Sequence, residues 1–357
     1  MHKKLFIPGP TEVAPEVLQK MATPMIGHRS KDASALQKDI SDKMRKVMYT
    51  ENPIILSTSS GSGLMEGSIR SLTAKRAIVF SVGAFGNRWF KVAEANNVPA
   101  DKHETEWGKA TTPEVVDKYL STGKYDVFTV THNETSTGIM NPVEEIAEVR
   151  RKYPDVLWLV DCVSSLAGAK VEVDRLGIDV CITSSQKALA LPPGLAIASV
   201  SKRALEYGKQ VKHRGWYLDI LEIYKYIETK DHQYHATPSL SHMFALTYQL
   251  DRILAEGLDA RFARHRTMAE YTRAWAKQFF ALYPEERHAS QTLTTITNTR
   301  NIVVADLNKE LAKVGMQISN GYGDLKEKTF RIAHMGELTL DDVKQVTAAI
   351  EQILKLR

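Results

Sequence analysis

Three short segments of this 357-residue chain carry side chains suited to holding, and working with, one small anionic group. In the first, the apolar run Ile54–Thr58 leads into Ser59-Ser60-Gly61-Ser62-Gly63 and then into a helical pattern from Leu64. Small residues let the backbone close around an anion, and a helix N-terminus adds free N–H groups and the positive end of its dipole. The segment reads as a phosphate cradle, with a plain strand-to-helix turn as the simpler alternative. In the second, Leu157-Trp158-Leu159-Val160 delivers Asp161, a charge that is costly at the end of an apolar strand unless a cation meets it. In the third, Val180-Cys181-Ile182-Thr183 runs through Ser184-Ser185-Gln186 to Lys187. Lys187 and Asp161 could simply pair with each other. Taken with the cradle, they suit pyridoxal phosphate, which needs an anion site, an amine for its aldehyde and an acid to keep its ring nitrogen protonated.

Other phosphate motifs fit poorly. A P-loop requires Lys and then Ser or Thr after its last glycine, and Gly67 is followed by Ser68-Ile69. A dinucleotide fingerprint wants an acid at the end of the next strand, which here reads Phe80-Ser81-Val82-Gly83. His232 and His235 have no further ligand cluster beside them, so no metal site is expected.

These segments need a scaffold that brings strand ends together. Ile54–Thr58, Ala77–Val82, Asp126–Thr131, Val156–Val160, Asp179–Thr183 and Ala196–Val200 read as buried strands. Helical patterns at Leu64–Leu72, Asn87–Asn96, Pro113–Leu120 and Val143–Lys152 lie between them. Thr112 before Pro113 and Asn141 before Pro142 each pair an N-cap with a proline at the first helical position. The alternation predicts an α/β fold, a mostly parallel sheet covered on both faces, with ligands beyond the carboxyl ends of its strands. After about residue 240 the texture changes. Ser241–Phe280 is a nearly continuous helical pattern interrupted by Gly257. Ile302–Ala305, Met316–Ile318 and Thr329–Ala333 then read as strands among helices at Leu307–Lys313 and Leu340–Leu356. Two domains are expected: residues 1–260, comprising an N-terminal arm and the large domain, and residues 261–357, a smaller α+β domain.

Composition narrows the function classes. Lys+Arg number 47 against 42 Asp+Glu, a net charge of +5 without long basic runs, which favours small anionic ligands over nucleic acid. Hydrophobic residues at 43% and charged residues at 25% exclude disorder as the main state. Cys162 and Cys181 form neither a disulfide framework nor a metal knuckle, which fits a reducing compartment. The start Met1-His2-Lys3-Lys4-Leu5-Phe6-Ile7-Pro8 lacks the run of about 7–15 apolar residues of a secretory signal. No stretch reaches the roughly 18 apolar residues of a membrane span. A cytoplasmic enzyme is expected, with neither membrane nor nucleic acid as a partner.

Seven segments, in order along nearly the whole chain, resemble the class V aminotransferases of fold type I: Gly9-Pro10-Thr11, Ser60-Gly61-Ser62-Gly63, His132-Asn133-Glu134-Thr135-Ser136-Thr137-Gly138, Val160-Asp161-Cys162-Val163-Ser164-Ser165, Ser185-Gln186-Lys187-Ala188-Leu189, Pro192-Pro193-Gly194 and Tyr234-His235-Ala236-Thr237-Pro238. The alanine–glyoxylate and serine–glyoxylate (serine–pyruvate) branch is the most similar. The resemblance implies that Lys187 carries the cofactor and moves the substrate proton, and that Asp161 faces the pyridinium nitrogen. Ser62, Gly63, Leu64 and Gln186 would hold the phosphate. Phe85 would stack on the ring, where relatives often carry Trp, and Val163 would pack its other face. Thr135 would lie near the phenolic oxygen. Tyr234 and Thr237 would reach the phosphate of a neighbouring subunit, implying a homodimer with shared sites. Arg331, in Phe330-Arg331-Ile332-Ala333-His334-Met335-Gly336, would hold the substrate α-carboxylate, since guanidinium is always charged and binds carboxylates in pairs of hydrogen bonds.

The resemblance thus implies ping-pong transfer of an amino group from alanine or serine to glyoxylate or pyruvate. Arg29, in Gly27-His28-Arg29-Ser30, could bind a second carboxylate and so favour aspartate or another dicarboxylic donor, or it could be a surface or dimer-contact arginine. A lyase or cysteine desulfurase of the same fold would need a catalytic cysteine in the C-terminal half, and none follows Cys181. A scaffold that had lost catalysis could dispense with Lys187 or Asp161, and both are present. A dehydrogenase is disfavoured by the missing ribose acid.

Overall fold

The computed structural model describes residues 2–356. Its larger sheet has seven strands in the order Ile54–Ser57, Ala196–Val200, Val180–Ser184, Leu157–Asp161, Val127–Thr131, Ala77–Ser81 and Ala100–Glu104. Ala196–Val200 runs antiparallel to both neighbours, and the other pairings are parallel. All but the last strand are buried along their length, as the continuous apolar runs predict for a sheet covered on both faces. Ala100–Glu104, whose sequence is Ala-Asp-Lys-His-Glu, escapes a hydrophobicity reading because an edge strand stays part-exposed.

One apolar core under this sheet is closed by the helices Lys31–Met48 and Leu240–Glu256, through Ile40, Met44, Leu246, Leu250 and Ile253. The first of these helices is absent from the sequence reading, although Ser30 caps it by accepting from Ala33 N at 3.3 Å. A second core on the opposite face packs Leu64, Ile69, Trp89, Ala93, Ile220 and Ile223.

The second sheet has the order Lys4–Phe6, Met316–Asn320, Thr329–Ala333, Leu293–Thr297, Ala281–Leu282. Its core is completed by the helices Leu258–Phe279, Val304–Lys313 and Leu340–Leu354. The chain's first strand, Lys4–Phe6, pairs in parallel with Met316–Asn320, so the N-terminal arm contributes to a sheet otherwise made by the last eighty or so residues. Gly257, at φ +85°, separates the two long helices where the pattern is interrupted.

Two expectations are corrected. Ile302–Ala305 is not a strand: Val304 opens a helix whose buried residues, Val304, Leu307 and Leu311, have helical spacing, and a short apolar run alone cannot separate the two states. The strand nearby is Leu293–Thr297. Asn141 is not an N-cap: its helix starts at Val143 and its side chain turns inward, accepting from Thr111 N at 2.8 Å and donating to Thr131 O at 2.7 Å. Thr112 does cap, accepting from Val115 N at 3.4 Å.

Candidate active site

The helix after Ile54–Ser57 begins at Gly61, three residues before the apolar pattern, so Ser62 and Gly63 lie in its first turn. No side chain caps that turn; Gly63 N donates to Ser60 O at 2.8 Å, and the N–H groups of Gly61 and Ser62 are left to a ligand. The glycines are required by close approach. A Cβ on Gly61 would lie 2.6 Å from Val163 Cγ2, and one on Gly63 would lie 2.6 Å from Ser59 Oγ. Arg88 donates to Ser62 Oγ at 2.9 Å and brings positive charge to the turn. Nearby, Ser184 Oγ lies 3.6 Å from the position a Gly61 Cβ would take. Ser184 Oγ and Gln186 Oε1 are buried without a protein partner. Free N–H groups, a cation and the unpartnered Ser184 hydroxyl around a glycine cradle fit a phosphate.

Asp161 ends the central strand Leu157–Asp161, 4% exposed, and accepts from Val163 N at 2.8 Å. Burial pushes its pKa up to about 6; the Val163 N–H opposes this, the Glu134 charge adds to it, and Lys187 and Arg88 pull it down. The raised value marks a carboxylate short of a cationic partner, which a protonated ring nitrogen would supply. Lys187 follows Val180–Ser184, and burial pulls its pKa down to about 8, against the opposing charge of Asp161 and with Arg331 and Arg88 adding to the depression. Its Nζ donates to the carbonyl of Pro8. Thr11 closes the same contact, its Oγ1 donating to Lys187 O at 2.9 Å. Gly9, at φ +104°, has no room for a side chain, since a Cβ would lie 2.7 Å from Lys187 Cδ.

Phe85 lies in the first turn of the helix Ala84–Ala95, which also starts three residues before its sequence pattern. The cause is a remote cap. Glu134, 0% exposed, accepts from Phe85 N at 2.8 Å and Gly86 N at 3.0 Å through Oε2, and from Ser136 N at 3.0 Å and Ser136 Oγ at 2.7 Å through Oε1. The next residue, Thr135, offers its carbonyl to Arg331 Nη1 at 2.9 Å, while Arg331 Nε donates to Asn320 O at 3.0 Å. Burial lowers the Arg331 pKa to about 10 against the pull of Glu134. Two edges of the guanidinium are thus fixed by backbone, and Nη2 makes no hydrogen bond among the described residues.

The structure brings Lys187, Asp161, Val163, Gln186, Ser62, Gly63, Leu64, Phe85 and Thr135 to the carboxyl edge of the larger sheet, and Arg331, midway along Thr329–Ala333 of the smaller one, reaches across to Thr135 O. It does not bring Tyr234, Thr237 or Arg29 to them within one chain. Tyr234 is buried with its hydroxyl unpartnered, and Thr237 is exposed beyond Thr58. Arg29 is exposed, donates to Tyr234 O and stands 5.7 Å from the Tyr226 ring centre. Among the described residues no cluster of His, Cys, Asp and Glu is disposed to hold a metal ion, and no helix is long and apolar enough to cross a membrane.

Sequence reasoning gave no role to Pro8, Arg88 or Glu134, although each flanks or lies in a segment it quoted. The usable signal was Glu134. The helix at Ala84 has no Ser, Thr, Asp or Asn to cap it, and a buried acid elsewhere must find donors.

Residues 5–336 match the model of the class V aminotransferases. An uncharacterized aminotransferase of Methanocaldococcus jannaschii is 42% identical over 99% of this chain and 93% of its own length. A protein of Synechococcus named as the small subunit of a soluble hydrogenase is 33% identical over 98% of this chain and 92% of its own. L-aspartate–glyoxylate aminotransferase of Paracoccus denitrificans is 31% identical over 94% and 87%. The crystal structure of alanine–glyoxylate aminotransferase from Nostoc superposes with a TM-score of 0.93, at 30% identity, over 99% of this chain and 96% of the other. The chain therefore belongs to the class V aminotransferases, pyridoxal-phosphate-dependent transaminases.

Proposed function

We propose that this aminotransferase moves an amino group from a small amino acid, alanine or serine, to glyoxylate or pyruvate. The observation that carries the reading is Arg331, whose Nε and Nη1 are taken by backbone carbonyls while Nη2 makes no hydrogen bond among the described residues, and whose charge acts on Lys187. One carboxylate is provided for, and the other arginine weighed for a second carboxylate, Arg29, is engaged with Tyr234 O. The relatives named for alanine–glyoxylate and aspartate–glyoxylate transfer support glyoxylate as acceptor, and the second keeps aspartate as the alternative donor.

Pyridoxal phosphate, when bound, supplies an aldehyde for amines and a ring that takes up the electrons of a broken Cα–H bond. The rest falls to the chain's own groups. The uncapped turn at Gly61–Leu64, with Arg88 and Gln186, holds the phosphate. Asp161 holds a proton on the ring nitrogen by its charge. Phe85 and Val163 confine the ring and exclude water. Arg331 orients the substrate through its α-carboxylate. Lys187 Nζ, whose lowered pKa leaves a usable neutral fraction near pH 7, would carry the proton from substrate Cα to the cofactor's former aldehyde carbon in one half-reaction and in the opposite direction in the other.

We also propose that the active unit is a homodimer. Thr237, which is exposed, would serve the neighbour's phosphate, with Tyr234 turned outward from its buried position to join it, and the exposed Met25, Trp216 and Tyr217 offer apolar surface to a second copy. Two buried free cysteines accord with action in the reducing cytoplasm. The test is a panel of alanine, serine and aspartate against glyoxylate, pyruvate and 2-oxoglutarate, with sedimentation of the active species. Transfer confined to aspartate, or full activity in a monomer, overturns the corresponding part.

A further inference from the structure

The loop after Met316–Asn320 carries an aromatic side chain, Tyr322, beside Phe85 and Arg331. Tyr322 is 38% exposed and its hydroxyl makes no hydrogen bond among the described residues, so the fold does not need it as a core residue. Its ring centre nevertheless lies 5.7 Å from that of Phe85, tilted by 38°, and 5.7 Å from the Arg331 guanidinium carbon. The Arg88 guanidinium carbon lies 4.6 Å from the same Phe85 ring centre. A ring from the first turn of Ala84–Ala95 and a ring from the loop after Met316–Asn320 therefore meet, the second beside the Arg331 guanidinium.

The loop that carries Tyr322 is held in place. Asn320 Oδ1 accepts from Gly321 N at 2.7 Å and Glu327 N at 2.8 Å, and Leu325 N donates to Tyr322 O at 3.1 Å. Gly321 cannot be replaced, since a Cβ there would sit 1.9 Å from Leu325 O. A ring on so fixed a loop cannot swing aside cheaply. An α-carboxylate seated on Arg331 leaves the side chain of an amino acid two bonds away, within reach of both rings.

Building on the small-donor reading above, we propose that Tyr322 is a specificity-determining residue. Its ring and that of Phe85 form an aromatic wall that admits amino acids with small side chains and excludes bulky ones. The wall belongs to the ring and not to the hydroxyl.

The test compares wild type, Tyr322→Phe and Tyr322→Ala as holoenzymes with alanine, serine, leucine, phenylalanine and aspartate against glyoxylate. Tyr322→Ala should raise kcat/KM for phenylalanine relative to alanine by about tenfold or more, the scale at which a hydrophobic pocket discriminates by size. Tyr322→Phe should stay within about twofold of wild type. A readout without turnover uses enzyme reduced with borohydride and titrated calorimetrically with pyruvate and phenylpyruvate. The Kd ratio should shift in the same direction in Tyr322→Ala alone. An unchanged ratio, a uniform loss on all donors, or an equal change in Tyr322→Phe overturns the wall. The wild-type donor order separately reports the small-donor reading. A preference for aspartate would defeat that reading while the variant-to-wild-type ratio still measured the wall.

Discussion

Lys187 should titrate more than two pH units below an ordinary lysine, and the shift has a definite worth. At a pKa of about 8 roughly a tenth of the side chains are neutral at pH 7, against about three in ten thousand at 10.5, a gain of roughly 300-fold in reactive amine. The first cause is burial, so the gain should exist before any cofactor binds. Competitive labelling of cofactor-free protein with acetic anhydride between pH 6 and 11, read by mass spectrometry of the peptide containing Lys187, measures it directly. Reactivity should rise about tenfold per unit below pH 8 and level off above it. Two substitutions fix the electrostatic signs. Asp161→Asn removes a charge that raises the pKa and should move the midpoint down. Arg88→Gln removes one that lowers it and should move the midpoint up. The same shift enters stability. Below pH 8 the lysine is charged in both folded and unfolded chains and its burial penalty is fully present. Between pH 8 and 10.5 the unfolded chain binds more protons, so stability rises with pH by up to about 3 kcal/mol from this group. A labelling midpoint above 10, or both substitutions moving it the same way, refutes the argument.

Glu134→Ala strips the acceptor from three buried backbone N–H groups and one hydroxyl, and should cost about 3–5 kcal/mol in denaturant unfolding; a loss below about 1 kcal/mol would show that water replaces the carboxylate. Arg331→Ala should raise KM about 100-fold or more for every amino and oxo acid. Arg331→Lys should recover only part of it, because an ammonium cannot keep both backbone contacts and still offer a paired edge; unchanged KM removes Arg331 from the substrate. Arg29→Ala should affect alanine and aspartate alike, since its guanidinium is committed to Tyr234 O. A loss selective for aspartate would transfer the donor reading to dicarboxylic acids.

The parts of this molecule legible in the sequence are those whose cause is local. The fully buried strands show as apolar runs, and the small residues from Ser59 to Gly63, Asp161 and Lys187 each stand at a strand end that the α/β alternation places on one edge. What stayed hidden depends on partners far along the chain. The helix of Phe85 starts at Ala84 because Glu134, 50 residues later, caps it. Asn141 forgoes its own helix to satisfy Thr111 and Thr131. The strand Lys4–Phe6 has only three residues, too few for a period, and its place beside Met316–Asn320 is purely tertiary. Ile302–Ala305 misled for the opposite reason: its apolar content was real, but it served the first turn of a helix.

The hidden contacts matter most because they set the distance on which catalysis depends. Arg331 stands in the smaller sheet and Lys187 follows a strand of the larger one, so nothing local fixes the proposed carboxylate clamp relative to the amine. Three ties do. Arg331 reaches across to Thr135 O. The N-terminal arm pairs with the smaller sheet through Lys4–Phe6 and, three to five residues on, meets Lys187 through Gly9 and Thr11. Arg261, 1% exposed on the helix Leu258–Phe279, donates to Ala188 O at 2.7 Å beside the lysine and to Gly336 O at 3.4 Å beyond the arginine strand. A misplacement of about 1 Å between reacting groups can cost about a hundredfold in rate. Each tie joins the two sheets through backbone groups rather than through exposed charges. The spacing between clamp and amine is therefore a property of the fold, largely insensitive to salt and surface substitution, and vulnerable at Gly9, Thr11, Glu134 and Arg261.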